Sequence, residues 1–203
     1  MNFYTDNPSL SFHLHHPAME QVAAAKENNY AEAGQHPEAP ASAEEAVEQY
    51  DTLMNLVGEI AGDVIAPNAE AVDHQGPRVE NGRIVYADGT RQNLDTLTRA
   101  GLFGLTLQRK YNGLNFPRVA AVMAAEMIAR ADVGFATLWG LQDCADTVQQ
   151  FGSDELKDKY LPRIYEGATC SMDLTEPDAG SDLQSVRLKA TYDEAAGCWR
   201  LHG

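Results

Sequence analysis

Positive charge is in short supply in this sequence. Fifteen Lys and Arg stand against thirty Asp and Glu, a formal net charge of −15 over 203 residues. A chain with that balance repels phosphate backbones and anionic headgroups, which excludes free nucleic acid and acidic membranes as general partners. A local basic site for an anionic ligand stays compatible, because net charge does not describe a pocket. Cysteine is scarce as well. Cys144, Cys170 and Cys198 lie far apart and match no CxxC spacing, which points to an intracellular, reduced protein with small buried thiols. No apolar run is long enough to span a bilayer, and the start, "MNFYTDNPSL", lacks the basic and apolar regions of a secretory signal. A cytoplasmic protein is the expectation. His13, His15 and His16 form a cluster, but no carboxylate or thiolate completes a ligand set at a recognisable spacing. No metal site is assigned, and a hydrogen-bonded or solvent-facing histidine cluster is expected.

What the sequence does have is an ordinary soluble composition, 44% hydrophobic and 22% charged, and length for one large domain or two small ones. Residues 1–41 read as an extension, with a short helix in "AMEQVAAAKEN" and a flexible linker in "AEAGQHPEAPAS". Ser42 and Glu45 then have capping-box spacing. Behind them Val47, Tyr50, Leu53, Met54, Val57, Ile60 and Val64 recur on one helical face, with Pro67 as the expected stop. Glu80-Asn81-Gly82-Arg83 and Ala87-Asp88-Gly89 are turn signals around the strand-like "RIVYA", which suggests a small hairpin or surface excursion. A short helix from Leu94 to Ala100 should end at Gly101 in a left-handed cap.

Pro117 opens an Ala-rich helix with Val119, Val122, Met123, Met127 and Ile128 on its apolar face. "GFATLWGLQDCADTVQQFG" reads as one buried helix, and Ser153 as the cap of another with acids in its first turn. From Ala168 the period changes: "ATCSMDLT" is strand-like, and Leu188, Ala190 and Tyr192 alternate as a half-exposed strand before a turn at Glu194–Gly197. The fold class is therefore α+β. An amino-terminal helical bundle over 42–167 leads into the opening strands of a β domain over 168–203.

Between those strands stands "LTEPDAGSD". Thr175 and Ser181 offer hydroxyl donors, Gly180 permits close backbone approach, Pro177 fixes a turn, and Asp178 and Asp182 can cap neighbouring amides. Such a turn holds an acceptor-rich ring or a phosphate in a nest of N–H groups, or else it is a structural connection. The residues alone leave both readings open.

Resemblance to a known family separates them. "MDLTEPDAGSD" resembles the flavin-contacting signature of the acyl-CoA dehydrogenases. "GLFGLTLQRKYNGLNFP", "QQFGSDELKDKYLPRIYEGATCSMDLTEP" and "GCWRLHG" resemble further segments of that family in order and spacing, over roughly residues 42–203. The first forty residues and "GPRVENGRIVYADG" are similar to longer members, such as those acting on 3-methylmercaptopropionyl-CoA. The resemblance implies an amino-terminal fragment of the acyl-CoA dehydrogenase fold, whose middle domain is barrel-like, and FAD-dependent α,β-dehydrogenation of an acyl-CoA thioester. It implies that Thr175 donates its hydroxyl to the reactive edge of the flavin. Met172, Asp173 and Leu174 would lie against the ring through their backbone, and Ser181 would sit where FAD meets the pantetheine arm of the substrate. Met172 stands where many relatives carry an aromatic residue.

The same resemblance puts the catalytic glutamate beyond Gly203, makes Glu176 a structural residue, and implies that these residues alone are inactive. An electron-transfer flavoprotein partner and a homodimer or homotetramer are further implications. Other chemistries on the scaffold remain as alternatives: an acyl-CoA oxidase, a nitroalkane oxidase or an alkylation-response protein. A non-catalytic interaction module is a third.

Overall fold

A computed structural model describes residues Met1–Gly203, which divide into two compact units, Met1–Cys170 and Ser171–Gly203. The first is a helical bundle built on α3 (Ala43–Ile60). Ser42 caps this helix by accepting from the Glu45 amide at 3.2 Å, while the Glu45 carboxylate reaches back to the Ala41 N–H at 2.8 Å. The expected stripe packs inward. Tyr50, Met54, Val57 and Ile60 are buried, with Val47, Leu53 and Val64 partly buried against the same core.

Pro67 does not stop this helix. The chain passes through a π-helical segment, Ala61–Ile65, and continues as α4 (Ala66–Gln75) with Pro67 in its first turn. Proline lacks an N–H and its ring crowds the carbonyl one turn back, so a widened turn just before it accommodates both.

Residues 1–41 are not an appended extension. α1 (Pro8–Leu14) and α2 (Ala18–Lys26) insert Leu10, Leu14, Met19 and Ala23 into the main core, and Phe3 and Tyr4 join them. The phenol of Tyr4 donates to Asp51 at 2.5 Å. Burial and that carboxylate hold its pKa well above the usual phenol range. The stretch expected as a flexible linker consists of turns, with Ala39 and Pro40 buried. Two of the three amino-terminal histidines are engaged locally. His15 Nδ1 lies 2.9 Å from the Ser11 carbonyl, and His16 Nδ1 accepts from the Ala18 amide.

β1 (Arg78–Glu80) and β2 (Arg83–Val85) form the expected hairpin, with Asn81 and Gly82 both at positive φ. α5 (Asp88–Arg99) begins six residues before the expected Leu94, because Asp88-Gly89 starts a helix here instead of closing a turn. Gly101 takes the left-handed conformation that ends it. α6 (Arg118–Ala131) buries Ala120, Met123, Ala124, Met127 and Ile128 but leaves Val122 exposed. The expected single helix after it is two, α7 (Val133–Gly140) and α8 (Asp143–Phe151). Asp132 caps α7 through the Phe135 amide at 2.9 Å. α9 (Asp154–Tyr165) is capped by Ser153. α8 and α9 share a smaller core of Leu107, Tyr111, Ala145, Leu161 and Ile164.

The irregular chain before α6 turns sharply at Asn112-Gly113, where space is minimal. A Cβ on Gly113 would stand 2.1 Å from the Leu107 carbonyl oxygen and 2.4 Å from its carbon, so backbone must move. Gly113→Ala should cost about 1–3 kcal/mol in urea unfolding, and a loss of a few tenths or less would contradict the crowding.

The second unit holds β3 (Lys189–Asp193) and β4 (Cys198–His202), an antiparallel hairpin pairing Lys189 with His202 and Asp193 with Cys198. Alternation does not bury one face here. Tyr192, Trp199 and Leu201 are at least half exposed, and Tyr192 and Trp199 meet edge-to-face across the strands, centroids 5.2 Å apart.

Candidate functional site

The loop Ser171–Leu188 belongs to this second unit. Residues 168–175, expected as a strand, form none, and 171–175 open this loop. A strand needs a ladder partner, and no segment of the chain supplies one, so the amides of Met172 to Thr175 have no backbone acceptor.

A closed turn follows. The Glu176 amide donates to Ala179 O at 2.9 Å, and the Ala179 amide donates back at 3.2 Å, with Pro177 and Asp178 at the tip. Pro177 suits that place because its fixed φ needs no donor there. Ala179 is buried at the base. Closing the turn sets Thr175 beside Gly180, where a Cβ would meet the Thr175 Cγ2 at 3.4 Å. Thr175 and Ser181 thus leave the turn at the same end.

The acids of the loop are consumed by the loop. Glu176 accepts from the amides of Arg187 and Leu188 at 2.8 Å each, one per carboxylate oxygen. Asp182 accepts from the Gln184 amide and the Ser185 hydroxyl, Asp173 from the Ser171 hydroxyl, and Asp178 lies 3.7 Å from the Arg187 guanidinium. Thr175 and Ser181 are exposed, and Met172 and Leu174 are about half exposed. Asp173, Asp178 and Asp182 are exposed too. The loop therefore offers hydroxyls, amides and apolar surface beside carboxylates, while Glu176 is turned to holding its shape.

The structural role of Glu176 agrees with its place in the turn, but its partners lie eleven and twelve residues on, at a separation no local spacing would flag. The hairpin behind the loop is organised in the same way. Asp193 accepts from Arg200 at 2.6 Å and from the amides of Ala195 and Ala196 at 3.1 Å. Those contacts, Arg200 first, hold its carboxyl below the usual aspartate range. A depressed pKa in the folded state means the contribution is present above the unfolded pKa and is lost as pH falls through the folded one. A carbon-detected NMR titration should therefore find Asp193 protonating later than an ordinary aspartate as acid is added. Arg200→Gln should move it back up, and no movement would refute the assignment.

A family model described as the acyl-CoA dehydrogenase, N-terminal domain, matches residues 47–168. The chain belongs to that family. The matched residues of this acyl-CoA dehydrogenase domain include α4 to α9 and nearly all of α3. The chain is 36% identical over 135 residues to the 3-methylmercaptopropionyl-CoA dehydrogenase of Ruegeria pomeroyi, covering 66% of this chain and 23% of that protein.

Among solved structures, the butyryl-CoA dehydrogenase from Megasphaera elsdenii superposes with a TM-score of 0.61 at 26% identity, over 76% of this chain and 39% of that one. The acyl-CoA dehydrogenase complexed with FAD from Bacillus anthracis shares the fold at a TM-score of 0.64 and 23% identity, over 77% and 25% of the two chains. The chain spans between about a quarter and two fifths of the length of the curated relatives it matches. No helix in it is long and apolar enough to cross a membrane. The Thr175–Ser181 turn lies just past the matched residues.

Proposed function

We propose that the protein removes hydrogen from the α,β carbon–carbon bond of an acyl-CoA thioester, with the Met172–Ser181 loop contacting FAD. The observation that carries this reading is the closed Glu176–Ala179 turn, which sets Thr175 beside Gly180 while the Glu176 carboxylate is engaged elsewhere. The donor set fits an electron-accepting ring. Neutral donors stabilise negative charge that grows on a neighbour, and a free carboxylate there would oppose it. FAD, when bound, supplies a two-electron acceptor for hydride.

The chain's own part is binding and orientation. The Thr175 hydroxyl donates towards the reactive edge of the ring. The Met172, Asp173 and Leu174 backbone supplies amides to its carbonyl side. The half-exposed Met172 and Leu174 side chains exclude water from that edge. Ser181 donates where the cofactor and the thioester's pantetheine arm meet. Glu176 is not the base that takes the α-proton, because two amides hold both its oxygens. In the helical unit a cleft of about 390 Å³ offers Leu105, Val122, Ala125 and Trp139 to an acyl tail, with Thr106, Arg118, Gln142 and Asp143 as polar lining. An electron-transfer flavoprotein as acceptor and a homodimer or homotetramer complete the reading, as does a cytoplasmic location.

The test is the purified protein in its complete natural polypeptide. A yellow product that bleaches anaerobically on adding an acyl-CoA supports the proposal. A colourless protein that takes up no FAD overturns it, and oxygen consumption without an added acceptor makes the protein an oxidase instead.

A further inference from the structure

Two of the three cysteines meet inside the helical unit. Cys144 stands in the first turn of α8, and Cys170 follows α9 as the last residue of the unit. Cys170 packs against the smaller core, which includes Ala145 of α8 and has Val148 packed against it too. Its thiol lies within hydrogen-bond reach of the Cys144 thiol. Neither is fully buried, contrary to the expectation of small buried thiols, whereas Cys198 is exposed on β4. A small oxidant in solvent can therefore reach a pair that is already together.

We propose that Cys144 and Cys170 are a modification site, forming a reversible intramolecular disulfide when the protein meets a peroxide. The first step is attack of one thiolate on a peroxide oxygen. The O–O bond breaks, hydroxide leaves and takes up a proton as water, and the sulfur becomes a sulfenic acid. The second thiol then attacks that sulfur, the S–O bond breaks, and a second water leaves. Two thiols lose two electrons and two protons in total, and hydrogen peroxide is reduced to two waters. Burial, and the neighbouring Cys144 sulfur, hold the Cys170 thiol above its ordinary range and so slow its own attack on the peroxide.

The consequence is local. The bond would tie residue 170 to α8 immediately ahead of the Met172–Thr175 stretch. Formation of the bond stands independently of whether that stretch contacts FAD.

The experiment counts thiols on the folded, full-length protein with a chromogenic disulfide reagent before and after hydrogen peroxide, followed by peptide mapping without reductant. In the Cys144–Gly203 part of the protein, the expected loss is two of the three thiols. A peptide linking Cys144 to Cys170, lighter by two hydrogens than its parts, should appear, and dithiothreitol should restore all three thiols. Cys198→Ser, an exposed change, should form the same link, while Cys144→Ser and Cys170→Ser should form no disulfide, the cysteine left from the pair stopping at a sulfenic acid. Persistence of all three thiols overturns the proposal. So does a trapped sulfenic acid on Cys144 with Cys170 still alkylatable, or a link that involves Cys198.

Discussion

Replacement of Arg109 by methionine is expected to cost about 3–5 kcal/mol of folding stability. The guanidinium is buried, its side chain 4% exposed, and it holds Glu27, 1% exposed, through paired contacts of 2.6 and 2.9 Å. Glu32 adds a third contact at 3.0 Å, and Asn115 donates to the same Glu27 carboxylate at 3.3 Å. Burial by itself would lower the guanidinium's pKa; hydrogen bonds to the two glutamates more than offset it and hold it up.

Methionine fills similar space but leaves the Glu27 carboxylate without a cation in a dry site, with the Asn115 amide still donating to it. Such a loss is a large share of the roughly 5–15 kcal/mol that folds a typical domain. Urea unfolding should show the midpoint fall with the slope unchanged. The double change Glu27→Gln with Arg109→Met should recover most of it, because no uncompensated charge then remains. A single variant within about 1 kcal/mol of the parent would mean that water reaches Glu27 and the pair is not dry.

Thr175→Val should slow reduction of the bound flavin by about 10²-fold or more, the effect of removing one donor aimed at developing charge. Threonine and valine have the same shape, so the change deletes the hydroxyl and keeps the methyl beside Gly180. The side chain is exposed and outside both apolar cores, so thermal unfolding should stay within about 0.5 kcal/mol. Thr175→Ser should restore most of the rate. The measurement is anaerobic stopped-flow reduction by an acyl-CoA on the intact protein. An unchanged rate with normal flavin content would remove Thr175 from the reaction, and a lost fold would make it structural.

How far the fold is legible in the sequence follows from the range of the forces involved. The α3 stripe, the caps at Ser42 and Ser153, and the Asn81-Gly82 hairpin turn are local decisions, made by residues a few positions apart, and they are readable as such. Residues 1–41 read as an extension because turn formers break them into short pieces. Leu10, Leu14, Met19 and Ala23 gain their place only from a core built by later helices. Pro67 carries a strong local veto that a widened turn answers, and nothing in its neighbours announces that turn. The break between α7 and α8 falls at Leu141-Gln142, just after Gly140, a glycine that is a weaker stop signal than a proline.

Within the loop, the turn formers are readable one by one. The amides of Arg187 and Leu188 that anchor Glu176 are not, because contacts at that separation have no spacing rule. The 168–175 segment has strand composition, yet composition does not provide a neighbour to pair with.

The Ala61–Ile65 segment has a last consequence, which concerns phase. An α-helix advances about 100° per residue, and a π turn absorbs one residue more than the regular winding needs. Because the surplus is taken up within the turn, α4 keeps the rotational setting that a regular helix one residue shorter would give it. Regular winding over the same number of residues would instead swivel α4 by about 100°. Asn68 would be carried away from its 2.9 Å contact with Asn93, and Val72 from the glycine at position 89 that makes room for it. The irregularity therefore acts as a dial, and an ideal helix of equal length would point the wrong way.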